Sequence, residues 1–387
     1  MKTLLFSLLV LLVGQVGAQI PSTGALGTYA VGEEAISFTN PSLNSPNVLT
    51  QTWYPATAAG TGQPLATGQF PVIAFGHGFN LNYQDYEIIC KHLASWGYIV
   101  IAPDVQNGFN VDHQEFAREL VACIDEVRAQ GLDSTSLFFD HVGTKSGVTG
   151  HSMGGGASFL VPSVFPNIDA VCGLAAAETN PSSIAALQGL NTPFMVISGS
   201  EDNTAPEASN QFPMYNAVAG EKISVSITGG AHCKFTDAST ICDLVSSAGS
   251  VTRNWQIYET NKYQTAFFNY YLKNDVQALP FLCGDSVAAD VSASHVVHQT
   301  TLTACAVGLA DATSSVEPLV FYPNPAGNLV KVALPESFNK LEIELHDLNG
   351  KRIRSWRVSE VSSEMELSLD GIPSGAYLLE KQLLIHQ

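Results

Sequence analysis

Segments with the pattern of a β-strand alternate with segments with the pattern of a helix through most of this 387-residue chain. The strands are short apolar runs, and in the helical segments apolar residues recur every three or four positions. The predicted strands cover 71–75, 98–102, 147–149, 169–174, 194–198 and 222–227, and the predicted helices cover 83–96, 114–130 and 255–273. This alternation predicts an α/β fold, a mostly parallel sheet with helices on both faces.

The C-terminal part of the chain has a different pattern. Residues 307–318 mix Gly, Ala, Thr, Ser and Glu without periodicity, which predicts a linker. After it, short apolar runs are separated by turn pairs such as Asn349-Gly350, and this spacing predicts a small β-sandwich over 319–387. The main domain is therefore expected to cover 19–306.

Residues 1–18 have the features of a signal peptide. Lys2 supplies the positive charge, residues 4–13 the apolar stretch, and residues 16–18 a small-residue cleavage site. The alternative is a membrane anchor, but this apolar stretch has about half of the ~20 residues needed to span a bilayer. No other stretch is long and apolar enough to span, so we expect an exported protein without a transmembrane segment.

The charge balance excludes nucleic acid as a partner. Thirty-five acidic residues stand against 17 basic ones, for a formal net charge of -18. A protein that binds nucleic acid needs lysine and arginine to neutralise phosphates. Most of the acidity lies in 19–318, which has 9 basic and 26 acidic residues.

Export places all seven cysteines in an oxidising compartment, where disulfides are expected. Cys233 and Cys242 lie close together, and Cys283 and Cys305 flank a turn-rich segment, so we predict these two pairs. Cys172 lies in an apolar strand and is expected to be a buried free thiol. Cys90 and Cys123 lie on predicted helices, and the sequence leaves their pairing open. Because no Cys or His pairs have zinc-site spacing, we expect no metal and no cofactor.

The pentapeptide Gly-His-Ser-Met-Gly at 150–154 carries the strongest chemical signal. It matches Gly-x-Ser-x-Gly and lies between a predicted strand and a predicted helix, as a nucleophile elbow requires. Ser152 is therefore the predicted nucleophile.

A serine nucleophile needs a base and an orienting carboxylate, which in this fold follow in the order Asp, His. Asp202 follows one predicted strand and His232 follows the next. Glu201 is the alternative carboxylate, and Asp202 is preferred. The expected oxyanion donors are the backbone N–H groups of Met153, after the nucleophile, and of Phe79, in the loop after strand 71–75.

Five segments together resemble the PETase and bacterial cutinase group of α/β-hydrolases, within the dienelactone hydrolase superfamily. They are Trp-Tyr-Pro at 53–55, Gly-His-Gly-Phe at 76–79, Gly-His-Ser-Met-Gly-Gly at 150–155, Glu-Asp-Asn-Thr-Ala-Pro at 201–206 and Gly-Gly-Ala-His at 229–232. The resemblance covers about residues 28–306, and it implies an α/β-hydrolase fold with the same triad, the same oxyanion donors and a C-terminal disulfide between Cys283 and Cys305.

Three departures from the polyester-cleaving members affect the substrate. His151 takes the aromatic position before the nucleophile, Glu178 takes the position of an aromatic clamp, and the extra disulfide near the active site has no matching cysteines. We expect Phe79, His151 and Glu178 to line the substrate site. A tryptophan at position 151 or 178 is then expected to speed hydrolysis of aromatic polyesters by stacking.

The tail resembles the type IX secretion sorting domain of Bacteroidetes. Phe-Tyr-Pro-Asn-Pro at 321–325, Leu-Asn-Gly-Lys at 348–351 and Gly-Ala-Tyr at 375–377 carry this resemblance. It implies that the type IX machinery is a partner of residues 319–387 and that the protein is secreted or surface-bound after passing the periplasm. A carbohydrate-binding β module is the alternative, which the few aromatic residues of the tail disfavour.

Taken together, these features predict a secreted serine hydrolase that cleaves carboxylic esters, with polyesters as the expected substrate class. The short segment between strands 169–174 and 194–198 has no room for a cap, so we expect an open cleft. A lipase or small-ester esterase is the alternative among enzymes. A surface binding protein on an inactive hydrolase fold is the alternative of another class, and it would require a missing triad residue.

We expect the mature secreted protein to begin near Gln19 and to lack the tail beyond 307–318, because both ends are targeting signals and not parts of the catalytic domain. A form covering 19–306 should keep full activity. Intact mass of the secreted protein tests this expectation. A species that still ends at Gln387 would indicate that the tail is a functional module of the mature protein.

Overall fold

The computed structural model describes residues 22–238, 240–305 and six stretches of the tail, 320–322, 328–333, 341–347, 352–358, 364–373 and 377–383. These residues fall into two compact units, one ending at residue 305 and one beginning at 320. The predicted signal peptide at 1–18 and linker at 307–318 lie outside the described residues, so both remain predictions.

A ten-stranded mixed sheet forms the centre of the larger unit, in the order β10-β9-β8-β7-β6-β4-β5-β2-β1-β3. Its strands are β1 (Ala30–Thr39), β2 (Asn47–Ala56), β3 (Gly60–Thr61), β4 (Phe70–Gly76), β5 (Ile99–Pro103), β6 (Val142–Gly150), β7 (Ala170–Leu174), β8 (Phe194–Gly199), β9 (Lys222–Ile227) and β10 (Val296–Thr300). Strands β4 to β9 pair in parallel with one another, whereas β2 and β10 join them antiparallel.

Helices cover both faces of this sheet. They are α1 (Glu87–Ser95), α2 (His113–Leu132), α3 (Met153–Val164), α4 (Ser183–Ala186), α5 (Gln211–Ala217), α6 (Thr240–Val245), α7 (Arg253–Lys273) and α8 (Asp285–Ser292), with 3-10 turns at Tyr83–Tyr86, His232–Phe235 and Val276–Phe281. One apolar core contains Leu120 of α2 and Leu160 of α3, and the other contains Leu93 of α1 and Phe267 of α7. The α/β architecture predicted from the sequence is therefore confirmed.

The sequence pattern did not predict the antiparallel edges of the sheet. Strands β1 and β2 pair along their whole length, yet β1 buries only Gly32 and Ile36 and lacks an apolar run. The segment between Cys283 and Cys305, expected to be rich in turns, contains α8 and β10. Tertiary pairing with β9 supplies the order that local sequence does not encode.

The cysteine predictions are confirmed by the structure. Disulfides join Cys233 to Cys242 and Cys283 to Cys305. The three remaining cysteines, Cys90, Cys123 and Cys172, are buried free thiols. The question that the sequence left open for Cys90 and Cys123 is thereby answered.

The smaller unit consists of antiparallel strands, as its sequence predicts. They are β11 (Val320–Tyr322), β12 (Leu329–Ala333), β13 (Leu341–Asp347), β14 (Arg352–Val358), β15 (Glu364–Ser368) and β16 (Tyr377–Leu383), arranged as the sheets β11-β12-β15 and β14-β13-β16. Val332 and Leu367 are buried in the first sheet and Ile343 and Leu345 in the second, which is the pattern of a small β-sandwich. Among the described helices of the chain, none has the length and apolar character needed to cross a membrane.

Helix α2 carries two buried carboxylates where it packs on the sheet. Glu115 accepts the Asn44 N–H at 2.5 Å, and Glu119, which is fully buried, accepts both of its hydrogen bonds from the Gln106 amide at 2.9 and 3.1 Å. Burial raises the pKa of Glu119 to about 7, and nearby Glu115 adds to the effect. Gln106 lies in the loop between β5 and α2, so Glu119 holds this loop on the helix.

The protonation of Glu119 should make the stability of the protein fall with rising pH. The folded state keeps this proton up to about pH 7, whereas an unfolded carboxyl group loses it near 4.5. The stabilisation is therefore complete below pH 4.5 and lost as pH rises through 7, by at most about 3 kcal/mol. The free energy of unfolding, measured with urea at pH 5 and at pH 8, should differ less between the two pH values for Glu119→Gln than for the wild type. Glu126→Gln is the control, and equal differences in all three proteins would contradict the prediction.

Candidate active site

Ser152 stands on a sharp turn between β6 and α3. Its backbone has φ 55° and ψ -117°, a conformation that costs a non-glycine residue about 1–3 kcal/mol. The turn is closed by the backbones of β4 and α3, since a Cβ on Gly154 would lie 2.2 Å from the carbonyl of Gly76 and a Cβ on Gly150 would lie 2.6 Å from it. Both motif glycines are therefore required by close backbone approach, and Ser152 projects at the N-terminus of α3.

The three predicted triad residues lie in one hydrogen-bonded line. The Ser152 Oγ lies 2.8 Å from His232 Nε2, and His232 Nδ1 lies 2.6 Å from Asp202 Oδ2. These residues follow β6, β9 and β8, so they meet at the carboxyl edge of the parallel strands, where α/β sheets place their sites. The imidazole and the carboxylate are almost completely buried, and Ser152 is partly exposed.

The carboxylate of Asp202 is oriented by its own loop. Its Oδ1 accepts the N–H groups of Thr204 and Ala205, each at 2.8 Å, which leaves Oδ2 for the histidine. Glu201, the alternative from the sequence, is exposed and accepts the Ser250 hydroxyl at 2.5 Å. Asp202 is therefore the carboxylate that contacts His232.

Helix α7 and a disulfide hold the loop that carries His232. The Gln256 amide is fully buried and makes two hydrogen bonds with the backbone of Ala231, accepting at 2.9 Å and donating at 2.8 Å. Cys233, the next residue after the histidine, is bonded to Cys242 at the start of α6. Arg253 donates to the Cys233 carbonyl and pairs with Asp243 at 2.7 Å. The imidazole is thus fixed from several directions before any substrate binds.

The two backbone N–H groups predicted as oxyanion donors lie in the loop after β4 and at the start of α3. Among the described residues, neither the Phe79 nor the Met153 N–H donates to any group. Met153 is the first residue of α3, where the partial positive charge of the helix is concentrated. The Phe79 loop is held by the buried His77, whose ring nitrogens lie 2.9 Å from the Gly78 carbonyl and 2.7 Å from that of Val105. This arrangement is suited to an oxyanion.

The prediction that His151 lines the substrate site is wrong. Its side chain is fully buried behind the nucleophile, between Tyr86 and His232. Tyr86 Oη lies 2.8 Å from Nδ1, and the His232 carbonyl lies 3.0 Å from Nε2. Because the β6 turn directs this side chain into the core, a tryptophan at 151 would replace a hydrogen-bonded ring and would offer no face to a substrate.

Glu178 has a local structural contact that the sequence did not indicate. Its carboxylate accepts the Ser183 hydroxyl at 2.6 Å and the Ile184 N–H at 3.1 Å, at the start of α4. The side chain is half-buried. A tryptophan at 178 would therefore remove these acceptors as well as add an aromatic ring. Phe79, the third expected lining residue, is 45% exposed.

Two residues that contact the site had no signal in the sequence. Tyr86 bonds to His151, and Gln256 bonds to Ala231. Each lies in a predicted helix, far along the chain from its partner. Only the packing of α1 and α7 on the sheet brings them to the carboxyl edge.

One cluster among the described residues has the spacing of a cation site. Glu259 of α7, Asp290 of α8 and His295, just before β10, bring ligand atoms close together. The Lys262 ammonium, however, lies 2.5 Å from both Glu259 Oε2 and Asp290 Oδ2. It neutralises these carboxylates as a buried ion pair. The cluster contains none of the residues around Ser152.

Comparison with known proteins shows which families this chain resembles. Residues 23–301 match the family described as PET hydrolase-like, and residues 320–382 match the secretion system C-terminal sorting domain. Cutinase est1 of Thermobifida alba is 24% identical over 57% of this chain and 67% of its own. The bis(hydroxyethyl) terephthalate hydrolase of Streptomyces coelicolor is 23% identical over 56% and 62%, and Cutinase 2 of Thermobifida cellulosilytica is 22% identical over 57% and 75%. Each of these alignments covers little more than half of the present chain.

The disulfide next to His232 should control the reactivity of Ser152. Replacing Cys233 and Cys242 by serine should slow phosphonylation of Ser152 by a fluorophosphonate about tenfold, because His232 is the predicted base and a displaced base is costly. The rate can be followed by mass spectrometry.

The second disulfide provides the control. Cys305 follows the end of β10 that pairs with Ile223, near the beginning of β9. His232 follows the other end of β9. Replacing Cys283 and Cys305 by serine should lower stability by about 3 kcal/mol, since the loop is longer, and leave the labelling rate unchanged. Equal labelling rates in all three proteins would show that the Cys233–Cys242 bond does not position His232.

Proposed function

Because the chain belongs to the PET hydrolase-like family, we propose that it is a serine hydrolase that cleaves carboxylic esters, with polyesters as its substrate class. The observation that carries the proposal is the line from Ser152 through His232 to Asp202, with contacts of 2.8 and 2.6 Å. The C-terminal unit is a type IX sorting domain, so the protein is secreted or held at the cell surface.

The proposed reaction has two steps that pass through an acyl-enzyme. His232 removes the proton from Ser152 Oγ as this oxygen attacks the ester carbonyl. Asp202 stabilises the resulting imidazolium. The N–H groups of Phe79 and Met153 receive the oxyanion. The imidazolium then gives its proton to the leaving alkoxide, which departs as an alcohol. Water activated by His232 hydrolyses the acyl group on Ser152 and releases the acid.

Two exposed phenyl rings beside the oxyanion loop support a large apolar substrate. Phe109, in the loop between β5 and α2, is 91% exposed, and its ring centroid lies 6.0 Å from that of Phe79. A single exposed ring is common on a protein surface, whereas neighbouring exposed apolar side chains that form a patch are a frequent mark of a binding groove. The segment between β7 and β8 contains α4 as its described helix, of four residues, which is consistent with an open cleft.

The removal of the nucleophile tests the proposed activity. Ser152→Ala should reduce ester hydrolysis by a factor on the order of 10⁴ to 10⁶, leaving only the effect of binding and the oxyanion hole. The fold should be retained, because among the described residues the Oγ forms a hydrogen bond only with the His232 imidazole. Turnover of nitrophenyl butyrate measures the loss, with circular dichroism as the control. Activity close to the wild-type value would show that another residue is the nucleophile.

The substrate class is tested separately with polymers. We expect release of soluble products from an aliphatic polyester film and slower release from an amorphous aromatic one. Phe109→Ala should lower release from both films several-fold, since aromatic contacts contribute roughly 0.5–1.5 kcal/mol.

Phe139→Ala is the matched control. Phe139 is 46% exposed and lies before the beginning of β6, whereas Ser152 follows the end of the same strand. Strong activity on long-chain triglycerides with no release from any polyester would identify a lipase. Binding to polymer film without any hydrolysis would favour a surface binding protein.

A further inference from the structure

A buried hydrogen-bond chain, called the relay below, joins two loops of the site. One is the loop of Gly78 and Phe79 after β4, the oxyanion loop, and the other is the loop that carries His232, the base loop. The Gly78 N–H donates to Tyr86 Oη at 2.9 Å, Tyr86 Oη lies 2.8 Å from His151 Nδ1, and His151 Nε2 lies 3.0 Å from the His232 carbonyl. We propose that Tyr86 and His151 are positioning residues that set the oxyanion donor and the catalytic histidine relative to Ser152. This inference rests on the proposed function and deepens it.

The chemistry of the end groups fixes the direction of every hydrogen bond in this chain. The His232 carbonyl can only accept, so His151 Nε2 carries the hydrogen and donates it. In the neutral ring, Nδ1 is then an acceptor, and the Tyr86 hydroxyl donates to it. The same hydroxyl oxygen accepts the Gly78 N–H. Each group is satisfied in only one arrangement.

Burial keeps this arrangement unchanged across the working pH range. Tyr86 and His151 are fully buried. Desolvation raises the pKa of Tyr86 well above its ordinary value and lowers the pKa of His151 well below its own, and the charge of His232 lowers it further. His151 therefore stays neutral when the neighbouring His232 becomes an imidazolium, and it does not compete for the proton of Ser152.

The two ends of the chain lie next to the groups that react. Gly78 immediately precedes Phe79, whose N–H is a proposed oxyanion donor. A Cβ on Gly78 would lie 2.9 Å from Tyr86 Oη and 3.1 Å from His151 Nδ1, so the relay fills the space behind this loop. At the other end, the accepting carbonyl belongs to His232 itself. The relay therefore contacts both the oxyanion loop and the base loop.

The middle of the chain is anchored on the nucleophile turn. His151 directly precedes Ser152, and its backbone N–H donates to the Gly76 carbonyl at 2.9 Å while its carbonyl accepts the Gly154 N–H at 2.9 Å. The ring of His151 also packs against His232, with 4.7 Å between centroids. Movement of either loop is thus resisted by hydrogen bonds to the rigid turn, which is the arrangement that precise positioning requires.

Removing the Tyr86 hydroxyl tests the relay. Tyr86→Phe leaves the Gly78 N–H and His151 Nδ1 unpaired where water does not reach. We expect kcat for nitrophenyl butyrate to fall about tenfold to a hundredfold, with KM within about twofold, because small displacements of reacting groups are costly. Phosphonylation of Ser152 should slow by the same factor, whichever ester the enzyme prefers.

Tyr98→Phe is the matched control. Tyr98 is also fully buried, and its hydroxyl donates to Asn269 Oδ1 at 2.6 Å. It precedes β5, at the edge of the sheet opposite the triad. We expect it to lower Tm as Tyr86→Phe does, with kcat and the phosphonylation rate unchanged. If both variants lose activity only in proportion to stability, the relay is structural and the proposal fails.

Variants of His151 test the same relay independently of Tyr86. A glutamine amide can accept from the Tyr86 hydroxyl and donate to the His232 carbonyl, so His151→Gln should retain most of kcat. His151→Leu can do neither and should match the loss in Tyr86→Phe. Combining His151→Leu with Tyr86→Phe should cost little more than either alone, because the two residues act as one unit. Additive losses, or equal loss in the glutamine and leucine variants, would overturn the proposal.

The outcome for the proposed function is read separately. If Ser152→Ala keeps full esterase activity, the proposed nucleophile is wrong, whatever Tyr86 does. If Ser152 is phosphonylated rapidly and Tyr86→Phe does not slow the labelling, the hydrolase proposal stands and the relay fails.

Discussion

The close passage of three backbones at residues 76, 150 and 154 is the constraint on which the site depends. With glycine at Gly150 and Gly154, β4, β6 and the start of α3 approach to distances that no side chain would permit. This contact forces Ser152 into its strained conformation and supports it there. Ser152, the N-terminus of α3 and the loop of Phe79 after β4 are therefore placed by one packing event.

The base loop shows how much structure is needed to hold one imidazole. His232 follows a parallel strand; Gln256 and a disulfide hold its two neighbours, and His151 contacts its own carbonyl. These contacts come from α7, from α6 and from the nucleophile turn. Preorganisation of this kind lowers the cost of reaching the reactive geometry. It also explains why buried residues without contact to a substrate can affect the chemistry.

The loops near the site differ in character. In the loop after β7, Glu178 uses its carboxylate to begin α4. In the loops after β4 and β5, the exposed rings of Phe79 and Phe109 lie together. An aromatic surface is thus present on these two loops, and Gln106 attaches the second of them to the buried Glu119. We expect apolar substrates to contact this surface.

The sequence by itself determined the alternation of strands and helices, the nucleophile turn, the order of Ser152, Asp202 and His232, and both disulfides. These features depend on local pattern, on glycine at fixed spacing and on loops that follow parallel strands. Tertiary structure alone decided the inward direction of His151, the contact with Tyr86 and the antiparallel edges of the sheet. The reason is physical: a side chain's burial and its hydrogen-bond partners depend on elements that pack together from distant parts of the chain.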